Sequence, residues 1–299
     1  MEFYSSGKLM LTGEYVVLAG ATALSLRTRK GQKMLVEPSE DQAIHWKSID
    51  HNGNCWFENT FSIHDFTVSN VSNQVVENRL TSLLRFINRN STVVNLADGF
   101  AITTTLEFDR QWGLGSSSTL IANLAKWSEV DPIELLHAAF KGSGYDVATA
   151  MENNAILYQI KNDQPTWEKT VFNPPFSHQL FFVYLGKKQQ SEEEVKKFDV
   201  QNVTKEDVAL FNQLTQDLLT CETLPDFSYI LTSHERALSD ILNRPTIKYQ
   251  RFRDYPFSIK SLGGWGGDFV MVVGNPDDQN YFKDKGYDVI LSWDEVIKT

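Results

Sequence analysis

The sequence is poor in cysteine and has no long apolar segment, and both absences narrow what the protein does. Its 299 residues include two cysteines, Cys55 and Cys221, which form neither a disulfide framework nor a metal-ligand spacing. No apolar run approaches the roughly 20 residues that span a bilayer. The first residues also lack the basic and apolar regions of a secretory signal. We therefore expect a cytoplasmic protein that does not enter a membrane.

Basic residues are also scarce relative to acidic ones. Lys and Arg number 28 against 38 Asp and Glu, a formal net charge of −10, which repels polyanions and disfavours nucleic acid as a partner. A small anionic ligand is still compatible with this net charge, because screening by salt limits the reach of a charge to about 10 Å. Four basic residues lie in or beside the motifs described below: Lys8, Arg110, Lys141 and Lys260.

Hydrophobic periodicity predicts an α+β protein with two domains. In the first half we expect strands at 7–11, 33–36, 43–47, 54–57, 100–108 and 155–160, and helices at 75–90, 116–127 and 131–140. Composition changes at 162–165 and again at 173–175, which indicates a linker. We place the boundary there, with domains at 1–172 and 173–299.

The second half alternates strands and amphipathic helices. We expect a strand at 179–185, a helix that a capping box at Ser191 opens toward Phe198, and helices at 204–220 and 227–242. A strand, a helix and a strand follow at 270–273, 278–285 and 288–291. The apolar stripes of the two longer helices are predicted core: Leu210, Leu214, Leu218, Ile230, Ala237, Leu238 and Ile241.

The most informative segment is 107–120, where an apolar strand runs into a glycine loop and three hydroxyl residues that open a helix. Gly113 and Gly115 permit positive φ and close approach of a ligand. Ser116, Ser117 and Ser118 stand where unpaired N–H groups and the helix dipole favour an anion. This pattern is typical of a phosphate cradle, and the alternative is a tight connection capped by serine. The loop is not a Walker motif, and Ser118 in place of a third glycine disfavours a dinucleotide site.

Residues 113–117 resemble the central motif Pro-x-x-x-Gly-Leu-Gly-Ser-Ser-Ala of the GHMP kinase superfamily, which includes galactose, homoserine, mevalonate and phosphomevalonate kinases. The proline is missing, and Ser118 replaces the alanine. Residues 6–18 are similar to the first motif of that superfamily, and residues 260–268 are similar to the third. Taken by itself, the first motif would be explained by a solvated lysine at a strand end. Taken by itself, the third motif would be explained by a glycine hairpin or bulge at 263–267. The three motifs in the right order favour the superfamily.

The resemblance implies a two-domain GHMP kinase fold, with an N-terminal half like domain 2 of ribosomal protein S5 and a ferredoxin-like C-terminal half. It implies ATP and Mg²⁺ as cofactors. The implied nucleotide-binding residues are Gly113, Leu114, Gly115, Ser116, Ser117, Ser118, Gly263, Gly264, Gly266 and Gly267. The implied acceptor-binding residues are Glu14, Tyr15, Lys260 and Ser261.

The implied catalytic residues are Asp146, in a segment at 141–148 that is similar to the catalytic segment of the family, and Lys8. An aspartate with a pKa near 3.9 is a weak base, but it orients an alcohol and takes its proton late in a loose transition state. Lys8 beside it would keep it ionised. Asp146 as a helix cap is the alternative, compatible with this role. For the metal, the resemblance implies Ser117 and a glutamate, and Glu134 is the nearest candidate although its spacing fits imperfectly. The alternative for Glu134 is a solvated position on a helix face.

The acceptor is the least defined part of the prediction. Tyr15 and the surrounding 13–18 segment are similar to the phosphomevalonate kinase branch, as are the residues after Lys260. We expect transfer of the γ-phosphoryl group to phosphomevalonate or mevalonate, in a monomer or homodimer. The open alternatives are another small alcohol or sugar, decarboxylation of mevalonate diphosphate, and a nucleotide-binding module without catalysis.

Overall fold

The computed structural model describes residues 1–186 and 198–298. These residues form two compact units with discontinuous limits. The first unit contains Met1–Gly7, Lys30–Arg110 and Leu114–Met151, and the second contains Lys8–Arg29, Gln111–Gly113 and the described residues of 152–298. The boundary predicted at residue 172 lies inside the second unit, and the predicted domain limits stay a prediction.

The sheet of the first unit is built from five strand segments. Strands β1 (Glu2–Met10) and β2 (Ala23–Pro38) contribute residues to both units. Within the first unit, the later part of β2 pairs antiparallel with the strand β5 (Phe100–Leu106). The strand β3 (Ala43–Ile49) pairs parallel with β5 and antiparallel with β4 (Cys55–Ser62).

Helices cover one face of this sheet. They are α1 (Gln74–Asn90), α2 (Ser116–Ser128), α3 (Pro132–Ala139) and α4 (Tyr145–Met151). The Asn73 side chain caps α1 by accepting the Val76 N–H. Apolar side chains at helical spacing then pack on the sheet, and the buried core includes Ile44, Trp46, Leu83, Ile121 and Leu135. The predicted helices at 75–90 and 116–127 are therefore present within one residue of their expected limits.

In the second unit, the early part of β2 pairs with β6 (Ala155–Lys161), which forms a hairpin with β7 (Gln164–Thr170). Asn162 and Asp163 make the two-residue turn, with φ of 50° and 60°. Such positive angles are typical of the tight turns that match the twist of paired strands. The interpretation of 162–165 as part of a linker is wrong, because polar turn residues and a proline in an edge strand give the same composition.

The second sheet of this unit has the strand order β11-β8-β10-β9, and its pairs are antiparallel. Its strands are β8 (Leu180–Tyr184), β9 (Ile259–Leu262), β10 (Phe269–Val273) and β11 (Ile290–Ser292). Numbered within the sheet, this order is 4-1-3-2, with helices after the first and third strands. That arrangement is ferredoxin-like, as the sequence predicts for the C-terminal half.

The helices of the second unit begin at well-defined caps. They are α5 (Lys205–Thr220), α6 (Leu224–Leu242), α7 (Ile247–Arg251), α8 (Gln279–Asp284) and α9 (Trp293–Val296). Thr204 and Asp207 form a capping box at α5, and the Thr223 hydroxyl accepts the Asp226 N–H at α6. Short 3₁₀ turns occur at Val16–Ala19, Leu96–Asp98, Ser177–Gln179, Val200–Asn202 and Pro276–Asp278.

One predicted core residue of α5 is wrong. Leu210 is 44% exposed, whereas Phe211 is fully buried. The buried stripe runs through Phe211, Leu214 and Leu218, at i, i+3 and i+7, so Leu210 lies one residue off its centre. The helix predicted to begin at Ser191 lies outside the described residues. Among the described residues, no helix is long and apolar enough to cross a bilayer.

Candidate active site

In the first unit, the glycine loop ends by opening helix α2. Gly115 is the N-cap residue with φ 91°, a left-handed conformation that favours glycine. The first helical bond joins the Thr119 N–H to the Gly115 carbonyl at 2.9 Å, so the N–H groups of residues 116–118 point out of the helix end. The Ser118 hydroxyl is buried and donates to the Gly115 carbonyl at 2.8 Å. The hydroxyl of Ser117, which is half-buried, makes no hydrogen bond to the described residues.

In the second unit, residues of all three motifs meet around Gly113. The Lys8 Nζ, on a side chain that is 8% exposed, donates to the Gly113 carbonyl at 3.2 Å. Gly113 has φ 67°, and a Cβ there would overlap the Asp268 carboxylate, lying 2.6 Å from its Cγ. A Cβ at Gly263 would lie 3.7 Å from the Asp268 Oδ2. The first motif, the glycine loop and the third motif therefore form one local constellation.

The turn of the first motif is held by three contacts of the second unit. The Gly13 N–H donates to the His234 Nε2 at 3.0 Å. The Tyr15 hydroxyl accepts the Trp265 N–H at 2.7 Å. Tyr15 itself has φ 64°, an unusual angle for a bulky side chain. The turn at 13–15 is therefore fixed against the glycine turn at 263–267.

A buried ion pair provides the third contact. The Lys260 Nζ is fully buried and lies 2.8 Å from the Glu14 Oε1, and Glu14 is 4% exposed. The Glu235 Oε1 lies 3.5 Å from the same ammonium. Lys260 also donates to the Ser261 carbonyl at 3.1 Å. Two carboxylates thus share one cation away from water.

Burial shifts the ionisable groups of this cluster. Burial raises the pKa of Glu14, against the lowering effect of Lys260. Burial raises the pKa of Glu235 to about 7, although Lys260 opposes the shift. Burial and then the charge of Lys260 hold the pKa of His234 well below its usual range. His234 is therefore neutral, and because its Nε2 accepts the Gly13 N–H, its proton lies on Nδ1.

The third motif closes on itself through backbone and hydroxyl contacts. Gly263 and Gly266 have φ of 77° and 79°. The Gly266 N–H donates to the Ser261 Oγ at 3.2 Å, and the Gly267 N–H donates to the Gly264 carbonyl at 2.8 Å. The glycine turn is thus held in shape by its own hydrogen bonds.

Asp146 and Glu134 lie in the first unit, each in the first turn of a helix. Asp146 belongs to α4, is half-buried, and its Oδ1 accepts the Val147 N–H at 3.0 Å. Glu134 belongs to α3 and is exposed, and its N–H donates to the Asp131 Oδ1 at 2.8 Å. Within residues 1–186 and 198–298, no group of three or more His, Cys, Asp or Glu side chains forms a metal site. Mg²⁺ keeps several waters and takes few protein ligands, so a half-buried Ser117 hydroxyl at a helix N-terminus still fits it.

Other predicted residues have structural surroundings. Lys141 is exposed, and the Arg110 guanidinium lies 3.4 Å from the centre of the Trp56 ring. Sequence reasoning assigned no role to Asp268, His234 or Glu235. For His234 a signal was available, since it lies four residues after Ile230 and four before Leu238, on the core stripe of α6.

Solved structures share this architecture over nearly the whole chain. Methanococcus jannaschii mevalonate kinase matches with a TM-score of 0.68 at 18% identity, covering 97% of this chain and 96% of that one. Streptococcus pneumoniae phosphomevalonate kinase, solved with phosphomevalonate and AMPPNP, matches with a TM-score of 0.70 at 15% identity, covering 98% and 99%. Lactococcus lactis galactokinase, solved with galactose, matches with a TM-score of 0.66 at 13% identity, covering 95% and 87%.

The chain has the GHMP kinase fold. The fold predicted by the resemblance is confirmed. No family model and no curated protein matches the sequence. At this level of identity the match concerns the fold alone, and the roles of individual residues stay predictions.

Proposed function

We propose that the protein is an ATP-dependent kinase that transfers the γ-phosphoryl group to a small alcohol. The observation that carries the proposal is the meeting of Lys8, Gly113 and Asp268 in the second unit. These residues come from three motifs that are far apart in sequence, and GHMP kinases share both the motifs and the fold. A glycine loop that served only to connect a strand to a helix would need neither a buried lysine nor a buried carboxylate beside it.

The nucleotide would bind through backbone N–H groups. Those of residues 116–118 leave the N-terminus of α2, where the helix dipole favours phosphate oxygens. The glycines of the turn at 263–267 are the further nucleotide-binding residues that the resemblance implies. Ser117 would hold the Mg²⁺, with Glu134 as the predicted acidic ligand. The bound ion would neutralise charge on the β- and γ-phosphates.

Lys8 and Asp146 would carry the chemistry. Phosphoryl transfer needs alignment and charge stabilisation more than covalent work by the protein. Lys8, held by the Gly113 carbonyl, would stabilise charge on the transferred oxygens. Asp146, fixed in the first turn of α4, would orient the acceptor hydroxyl and receive its proton.

We assign phosphomevalonate or mevalonate as the acceptor. The similarity of 13–18 to the phosphomevalonate kinase branch supports the choice, and the solved phosphomevalonate kinase with the same fold holds phosphomevalonate and AMPPNP. Glu14, Tyr15, Lys260 and Ser261 keep their predicted place beside the acceptor, although each is bonded within the protein in the structure. We further propose a cytoplasmic monomer or homodimer.

An acceptor panel with a coupled ADP assay tests the proposal. Purified protein with Mg-ATP should release ADP with phosphomevalonate or mevalonate and not with galactose. Asp146→Asn should abolish turnover while AMPPNP still raises the melting temperature. Nucleotide stabilisation without turnover on any acceptor would point to a binding module. Release of CO₂ from mevalonate diphosphate would point to a decarboxylase.

A further inference from the structure

Four ionisable side chains of the second unit lie buried together, and the proposed chemistry uses none of them as a reactant. They are Glu14, His234, Glu235 and Lys260, with exposed fractions of 4%, 0%, 3% and 0%. Both carboxylate oxygens of Glu235 lack a hydrogen-bond partner among the described residues. A buried carboxylate without such partners is costly, so its position calls for an explanation.

The cluster joins the two turns that the proposed function places at the ligand. On one side, the Gly13 N–H donates to His234, and Glu14 pairs with Lys260. On the other side, Lys260 directly precedes Ser261, whose hydroxyl accepts the Gly266 N–H. A shift of the Lys260 ammonium would therefore disturb two contacts. It would change the ion pair that holds the turn at 13–15, and it would move the strand that leads into the turn at 263–267.

The charge of the cluster balances only when one carboxyl group is neutral. Lys260 is the single cation, Glu14 and Glu235 are two acids, and His234 is neutral. Glu14 lies 2.8 Å from the ammonium and Glu235 lies 3.5 Å from it. The closer carboxylate keeps the ion pair, and the more distant one is the better place for the proton.

We propose that Glu235 is a positioning residue, which in its neutral form leaves Lys260 paired with Glu14 and so holds the turn at 13–15 against the nucleotide turn at 263–267. The ionisable groups that face Glu235 are Lys260 on β9 and Glu14 in the first turn, and His234 is its neighbour on α6. When Glu235 loses its proton, two carboxylates compete for one ammonium, and both turns loosen. The kinetic part of this inference rests on the proposed function.

The pH dependence has a definite sign. A buried acid whose pKa rises on folding, here to about 7, stabilises the folded state below its unfolded pKa. That stability is lost as pH rises from the unfolded value toward the folded one.

Glu235→Gln keeps the shape of the neutral acid at every pH. Asp240→Asn changes an exposed acid on the same helix and is the matched control.

Thermal unfolding without ligand tests the cluster independently of any activity. Glu235→Gln and the parent should melt at similar temperatures near pH 5, and the variant should melt several degrees higher at pH 8. Asp240→Asn should follow the parent at both values. A difference between Glu235→Gln and the parent that does not change with pH would overturn the proposal, even in an active kinase.

Kinetics then separates a positioning role from a merely structural one. The KM for ATP of the parent should rise severalfold between pH 6 and pH 8.5, with a midpoint near 7, while that of Glu235→Gln stays at its pH 6 value. The kcat at saturating ATP should be the same for both proteins. An unchanged KM profile in Glu235→Gln would overturn the positioning role. Absence of turnover together with the pH-dependent melting difference would instead overturn the proposed function.

Discussion

The carboxylate of Asp268 occupies the space that a side chain at Gly113 would need. A Cβ at Gly113 would lie 2.6 Å from the Asp268 Cγ, and the backbone there has φ 67°. Gly113→Ala should therefore lower the free energy of unfolding by about 2 to 5 kcal/mol, from backbone strain and overpacking together. It should also weaken nucleotide binding, because the loop must move. Chemical denaturation and AMPPNP titration measure the two effects.

Gly53 provides the matched control for this substitution. It has φ 85°, and a Cβ there would meet nothing within 4 Å. Gly53→Ala should cost only the backbone strain, about 1 to 2 kcal/mol, without affecting nucleotide binding. Asp268→Gly should relieve part of the Gly113→Ala defect. Equal costs for Gly53→Ala and Gly113→Ala would show that the contact with Asp268 has no effect.

Lys8 should be essential for turnover. Lys8→Met removes the only charge of a side chain that is 8% exposed and bonded to the Gly113 carbonyl at 3.2 Å. We expect kcat to fall by about 100-fold to 1,000-fold. The exposed Lys33, whose Nζ lies 3.7 Å from the Glu107 Oε1, is the control, and Lys33→Met should leave kcat unchanged. Full activity of Lys8→Met in steady-state assays would contradict its assigned role.

Breaking the buried ion pair should be costly. Lys260→Met leaves Glu14 and Glu235 buried without a cation, and we expect a loss of about 3 to 5 kcal/mol in unfolding free energy. The loss should be smaller at pH 5 than at pH 8, because both acids can then take a proton. Urea denaturation at the two pH values measures the difference.

A partly exposed ion pair gives the comparison for Lys260. The Lys169 Nζ lies 3.0 Å from the Glu152 Oε2, with side-chain exposures of 60% and 20%. Lys169→Met should cost at most about 1 kcal/mol. The double variant Glu14→Gln with Lys260→Met should recover part of the stability that Lys260→Met loses. If Lys260→Met lowered the free energy of unfolding no more than Lys169→Met does, the buried cluster would have to be solvated.

Two adjacent serines should behave differently. Ser118 donates to the Gly115 carbonyl inside the loop, so Ser118→Ala should cost about 1 kcal/mol of stability. Ser117, the predicted metal ligand, makes no hydrogen bond to the described residues. Ser117→Ala should lower kcat by about 100-fold and raise the Mg²⁺ concentration needed for half-maximal rate. Identical Mg²⁺ titrations for the two variants would contradict the assignment.

Helix α2 shows what local sequence predicts well. It is expected at 116–127 and found at Ser116–Ser128, because the signal is local. Gly115 adopts an angle that few other residues tolerate, and an apolar stripe follows it. The turn at Asn162 and Asp163 has an equally local cause, yet its composition predicts a linker. Composition alone does not distinguish a hairpin turn from an inter-domain segment.

Strand β1 shows where local sequence fails. It is expected at 7–11 and found at Glu2–Met10, because its first part buries polar side chains. Ser5 is 1% exposed, and its hydroxyl accepts a hydrogen bond from the Lys126 Nζ at 2.8 Å, 121 residues away. The hydrophobic periodicity of the sequence around Ser5 gives no sign of a partner so distant in the chain.

In the candidate site too, features with a local sequence signal are predicted and features that depend on distant residues are not. The motifs predicted the glycine loop and Lys8, since their spacing is short and specific. The environment of Lys260 could not be predicted, because Glu14 and Glu235 reach it from distant segments and only burial makes their charges matter. The roles of Asp146 and Glu134 stay predictions.

Following the phosphoryl group itself tests the central claim most directly. The protein is incubated with Mg²⁺, ATP labelled on the γ-phosphorus and each candidate acceptor, and the products are separated by mass. The account predicts that the label appears covalently on phosphomevalonate or mevalonate in step with ADP, and that Asp146→Asn transfers none. Label found only in ATP or in inorganic phosphate, with every acceptor unchanged, would contradict it.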